Sequence, residues 1–256
     1  MKLSPVVKIS LSGLILALVI IFTRFLSVQN IPFLPFVRIS IGPALIIFAS
    51  ILLGPIYGGI IGGASDILGI FLVPNALGYP INPWFTLVYT GLGILPWCIY
   101  KLVKLIKNDK VSLIVMGAIL LGLWLFVVIY GSRQNYILDK EFTLSAKLII
   151  FVLSFLMIAG TIILIILIKH HYDNEVLSPY NIAILSIIVE VVVMLLANSF
   201  AKSFFFGIEF KIVFFMQAII FFIDIPMNTI LISYLLKLAN KVFNKENQLV
   251  DETKKD

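Results

Sequence analysis

Apolar residues in this 256-residue chain gather into long runs, separated by short clusters of proline, glycine and charge. Crossing a bilayer takes about 20 consecutive apolar residues, because the hydrocarbon is roughly 30 Å thick and each helical residue rises about 1.5 Å. The runs lack the apolar/polar alternation of barrel strands, and a chain in lipid must satisfy its own backbone hydrogen bonds, so they are predicted to be helices. Eight are expected, over residues 6–27, 42–53, 56–72, 84–105, 112–131, 145–169, 181–200 and 211–240. The second is too short to cross unaided; it lies between the Pro32/Pro35 loop and the Gly54-Pro55 turn, and tilt or extension by preceding residues is expected to complete it. The first follows Lys2 and Lys8, as a secretory signal would, but no small-residue cleavage site follows and further spans come after. It is expected to be retained as helix 1.

Composition agrees. With 61% hydrophobic and 12% charged residues and a mean hydropathy of +1.12, a water-soluble core is excluded. The fold class is an all-α polytopic membrane helix bundle. Residues 1–240 read as a single transmembrane domain, and 241–256 as a polar cytoplasmic tail. With the N-terminus inside and eight crossings, Lys101, Lys104, Lys107 and Lys110 are among twelve of the nineteen Lys and Arg residues on the inner side. Cytoplasmic loops are enriched in positive charge, which predicts a plasma-membrane protein with both termini cytoplasmic. The net charge of +6 arises largely from these anchors and the tail, so it is not a nucleic-acid footprint. Cys98 is the sole cysteine and forms no intrachain disulfide; it reads as a small apolar helix residue.

Enzyme signatures are scarce. His170 and His171 stand beside Lys169 and Asp173 at a cytoplasmic helix end, more in keeping with a solvated loop than a metal site. There is no G-x-S-x-G elbow, no HExxH and no P-loop, and nothing calls for a cofactor. ATP-driven transport would require a separate ATPase.

Ionisable groups inside spans are costly and usually face a cavity or a partner. Asp66, Glu190 and Asp224 are of this kind. Gln217, Asp224 and Asn228 share one face of the last helix, where Pro226 frees the Phe222 carbonyl. Arg24, Gln29, Arg38, Asn82, Trp84, Tyr89 and Asn198 gather toward the outer side and together describe a polar pocket opening outward. Taken singly, Trp84 and Tyr79 also suit an interfacial belt, and Arg24 a snorkelling side chain. Small-xxx-small spacings occur at Gly54, Gly58, Gly59, Gly62 and Gly63 and again at Gly13 and Ala17. Packing within the bundle is the ordinary explanation for the former; for the latter, internal packing and an external partner weigh about equally.

The segment TRFLSVQNIPFLPFVRISIGPALIIFASILLGPIYGGIIGGASDILGIFL resembles the folate-type substrate-binding (S) components of energy-coupling-factor (ECF) transporters. Arg38, Ile39, Ser40 and Gly42 match an R-I-S-x-G stretch; Gly54, Pro55 and Gly58 match a G-P-x-x-G turn; Gly62, Asp66, Leu68 and Gly69 match a G-x-x-x-D-x-L-G helix. MLLANSFAKSFFF and FFIDIPMNTILISYLLK are similar to the family's closing helix pair. The resemblance covers residues 6–105 and 181–240. Family members usually have six helices, so 106–180 is expected to be an inserted helical hairpin.

The resemblance implies a bundle that captures a vitamin, folate or a relative, near its outer face. It would dock on a transmembrane coupling protein attached to two cytosolic ATPases, with Gly13 and Ala17 in the place of the family's docking motif. A pterin offers an N–H/NH₂ edge and a flat ring, and a glutamyl tail is anionic. Arg38, Asp66, Asn82, Trp84, Arg24, Tyr89, Asn198 and Gln217 are the substrate-binding candidates. A membrane scaffold or morphogenesis protein of the same fold is the alternative, and Asp224 and Glu190 keep open a self-sufficient transporter or a lipid-modifying enzyme.

Overall fold

A computed structural model describes residues 4–28, 31, 37–72, 82–106, 108–138, 140–171 and 178–252. Helix α1 (Pro5–Ile20) continues through a π-helical turn, Ile21–Phe25, and is followed by α2 (Gly42–Leu53), α3 (Pro55–Leu72) and α4 (Pro83–Val103). Then come α5 (Asp109–Arg133), a two-stranded ribbon of β1 (Tyr136–Ile137) and β2 (Lys140–Glu141), and α6 (Leu144–His171). The chain closes with α7 (Pro179–Val189), a π-helical segment Glu190–Ala197, α8 (Asn198–Phe206) and α9 (Phe210–Glu252). Pro32, Pro35, Lys107 and Asp173 lie outside the described residues.

The helix ends follow local chemistry. Proline opens α1, α3, α4 and α7, where its missing N–H has no helical partner to lose. Ser4, Asn82 and Asn108 cap α1, α4 and α5 with side-chain oxygens. Gly54, at φ +99°, turns the chain sharply from α2 into α3. The last helix runs past residue 240 to Glu252, because Lys, Glu, Gln and Leu are good helix formers and no glycine or proline interrupts them.

Among the described residues seven helices, counting the α7–α8 run as one, are long and apolar enough to cross a membrane, and α2 is a shorter apolar one. Although short, α2 is buried along most of its length, packed among α1, α3, α4 and α9. A helix covered on all sides has no use for a polar face, hence its unbroken apolar sequence. By contrast, α5 and α6 bury few of their side chains and pack on each other, on α7 and on α9.

That hairpin is fastened in two places. At one end Asp109 pairs with Lys169 and accepts from Ser178 Oγ at 2.9 Å, while Asn181 takes the Ser112 hydroxyl at 2.6 Å and donates to the Ile106 carbonyl at 3.0 Å. Further along, Phe126 meets Phe214 edge-on with centroids 5.0 Å apart, and Tyr130 packs against Phe215 at 5.4 Å. His170 and His171 close α6.

Candidate functional site

The site begins where helix 1 ends. In the π turn the Leu26 amide reaches back to the Ile21 carbonyl at 3.1 Å, so the Phe22 and Thr23 carbonyls are taken up from outside the helix. Ser40 Oγ donates to the former at 3.0 Å and Arg38 Nη1 to the latter at 3.0 Å. Between them, Val28 and Ile39 exchange backbone bonds at 3.0 Å. Ser40 Oγ also accepts from the Gly42 amide at 3.1 Å, and a Cβ on Gly42 would overlap Thr23 Cγ2. The R-I-S-x-G stretch thus joins helix 1 to α2 and holds Arg38 half-buried at that junction.

A buried ion pair lies alongside. Arg24 Nη2 stands 3.3 Å from Asp66 Oδ1, with both side chains no more than 7% exposed, and donates to the Asp66 carbonyl at 3.2 Å. Thr86 Oγ1 donates to Asp66 Oδ2 at 2.9 Å. Both carboxylate oxygens are therefore engaged by protein groups.

Glycine makes this proximity feasible. A Cβ on Gly69 would sit 3.1 Å from Arg24 Cζ, one on Gly63 2.6 Å from Thr90 Oγ1, and one on Gly62 would overlap the Tyr89 carbonyl. The α3 glycines thereby let α4 approach with Thr86, Tyr89 and Thr90 on the shared side. Further along the seam Gly58 and Gly93 meet backbone to backbone, and the Trp97 amide, next after Pro96, donates to Ser50 Oγ at 3.2 Å.

From this pair a chain of electrostatic neighbours leads to the last helices. Tyr89 interacts electrostatically with Arg24, Arg38, Asp66 and Asp224; Lys202 with Arg38 and Asp224; and Asp224 with Glu190. Asn228 Nδ2 donates to Glu190 Oε1, and Gln217 Nε2 donates to Ser199 Oγ at 3.3 Å. Gln217, Asp224 and Asn228 all look toward the α7–α8 run, as their shared helix face requires.

Of the sequence candidates, Arg24 and Asp66 are in direct contact, and Arg38 and Tyr89 lie within electrostatic reach of them. Gln217 is buried on α9 and Asn198 at the start of α8. Asn82 is buried too, but its Oδ1 is occupied as the α4 cap, accepting from the Trp84 amide at 3.0 Å. Trp84 is 46% exposed and rests edge-on against Phe204 of α8, in the manner of a belt residue. Gln29 and Tyr79 lie outside the described residues. Gly13 and Ala17 are exposed on helix 1, and Cys98 on α4.

Two members were not singled out as site residues from sequence. Thr86 carries no charge to betray it, and Lys202 reads as one more outer-side anchor. Its signal was position: it follows Asn198 by one helical turn, on the face that looks toward α9. Among the described residues no three His, Cys, Asp or Glu side chains are grouped to hold a metal.

A family model described as "ECF-type riboflavin transporter, S component" matches residues 4–173. The "Folate transporter FolT" of Clostridium novyi (strain NT) is 31% identical over 138 residues, 54% of this chain and 70% of that relative. No solved structure matches. A multi-pass helix bundle with a converging polar site, matched over these lengths, belongs to the S-component family of ECF-type transporters, the vitamin-binding and non-catalytic membrane components of these importers.

Proposed function

We propose that the chain captures folate or a related anionic vitamin, with Arg38 and Lys202 receiving its carboxylates. One observation carries this reading. Arg24 is neutralised by Asp66, whereas Arg38 and Lys202 interact with each other and have no carboxylate within ion-pair distance among the described residues. Two like charges, both half-buried, favour an anion. Riboflavin is uncharged and offers nothing to answer them; the glutamyl tail of folate does. Tyr89, Asn198 and Gln217 line the approach, Asn82 fixes the start of α4, and Asp66 serves by fixing Arg24. Trp84 forms the rim with Phe204.

Both termini are cytoplasmic in this reading, and α2 counts as a crossing together with the chain before it. Residues 106–180 form an addition to a six-helix core. The family match runs on to residue 173, but α4 packs directly on α7, and the hairpin lies outside them against α7 and α9. Gly13 and Ala17 are where a transmembrane coupling protein, carrying two cytosolic ATPases, would dock. Their exposure supports this over internal packing.

The test is calorimetric titration of the purified chain with folate and with riboflavin. Folate should bind tightly, and Arg38→Gln or Lys202→Met should each weaken it by about 2 kcal/mol or more, roughly 30-fold. Tight riboflavin binding that folate does not displace would overturn the assignment, and absence of any vitamin would favour a scaffold.

A further inference from the structure

Beyond Arg38 and Lys202 the polar groups continue inward. Asp224 and Asn228 lie about two and three helical turns further along α9 than Gln217, and face Glu190 at the start of the π-helical segment. Glu190 is 2% exposed and Asn228 fully buried. Asn228 spends an amide hydrogen on Glu190, so its side chain points into the cluster, yet its Oδ1 has no partner among the described residues. Asp224 Oδ1 is likewise buried and unpartnered.

Buried polar groups are nearly always satisfied, so two bare acceptors beside a second carboxylate require donors. The neighbouring hydroxyls of Thr229, Ser186 and Ser233 are also without partners, and a hydroxyl both donates and accepts. The cluster is thus rich in acceptors at one end of a site whose other end is cationic.

We propose that Glu190, Asp224 and Asn228 form the heterocycle end of the vitamin site, reading the adjacent N–H and NH₂ of a 2-amino-4-oxo ring. The inference rests on the anionic-vitamin assignment and adds an orientation: the ring enters first, and the carboxylates stay with Arg38 and Lys202. A carboxylate accepts paired hydrogen bonds from two adjacent donors. An isoalloxazine presents one N–H flanked by two carbonyls, which would set acceptor against acceptor. The same cluster therefore selects against riboflavin as well as for a pterin. Segment Glu190–Ala197 suits the task, since a π-helical register re-aims side chains without breaking the helix.

The experiment compares folate, 6-hydroxymethylpterin and p-aminobenzoylglutamate binding to the wild-type chain and to Asp224→Asn and Glu190→Gln. Both variants should lose affinity for folate and the pterin fragment by about tenfold or more, while p-aminobenzoylglutamate changes by less than about twofold. Retained binding of that fragment shows that the variant is folded, and melting curves check it independently; if one variant fails to fold, the other decides. Unchanged pterin binding in a folded variant overturns the subsite and leaves the anionic-vitamin assignment standing. Equal losses for all three ligands overturn it too, since the cluster would then only support the fold. A wild-type chain that binds none of the three removes the assignment itself and the subsite with it.

Discussion

The glycines of α3 and the small residues of helix 1 share a spacing but meet opposite surroundings. Against α3 the bundle is closed: Gly58, Gly59, Gly62 and Gly63 each lie where an added Cβ would strike α4 within 3 Å. At Gly13 a Cβ would meet nothing within 4 Å, and Ala17 is exposed on the same side. One sequence pattern thus serves two ends. In α3 it allows two helices of one chain to touch; on helix 1 it leaves an exposed shallow face, where the proposed coupling protein would dock.

The α3–α4 seam is the more sensitive of the two. In Gly93→Leu the new Cβ would stand 2.7 Å from the Gly59 amide nitrogen, and backbone cannot yield as a side chain can. A loss of about 3 kcal/mol or more is expected, read as a collapse of the melting transition in detergent. Next in size is Asp66→Ala, which leaves Arg24 buried without its counter-charge. Removing one member of such a pair costs about 3 to 5 kcal/mol in full burial, and somewhat less here because Arg24 keeps the Asp66 carbonyl. If that pair is purely a tie between helix 1 and α3, replacing both residues by apolar ones of similar size should restore most of the melting temperature. The smallest effect on stability, within about 0.5 kcal/mol, is expected for Gly13→Leu. Its consequence should appear only in the assembled importer, as lost uptake with vitamin binding unchanged; a lowered melting temperature would place Gly13 in the bundle's own packing.

Much of the architecture was legible because the membrane writes helix length into the chain. Pro55, Pro83 and Pro179 stand at the first residue of α3, α4 and α7, and the helices fall within a few residues of the apolar runs, except where α7–α8 and α9 run on to Phe206 and Glu252. Hydropathy gives depth but not direction, so the contact of Trp84 with Phe204 of α8 could not be foreseen. The ion pair joins residues 42 apart in sequence, and the Glu190–Asn228 bond residues 38 apart. Which polar side chains meet at one depth depends on helix rotation, and rotation is set by packing. Backbone needs were hidden as well: Asn82 caps a helix, and Arg38 donates to the Thr23 carbonyl, bonds that no sequence pattern announces.

Helix α2 is short, and its shortness has an electrical side. Joined to α3 at Gly54, it spans about 18 Å while α3 spans about 27 Å, at 1.5 Å per residue. Helix α2 thus falls short of the roughly 30 Å of hydrocarbon, and its first turn lies beside Arg38 and the end of helix 1, where Ser40 Oγ accepts from the Gly42 amide. Aligned peptide dipoles place roughly half a positive charge at a helix N-terminus. Away from water that charge is weakly screened, so on the proposed reading the backbone itself would raise the potential where the anion binds.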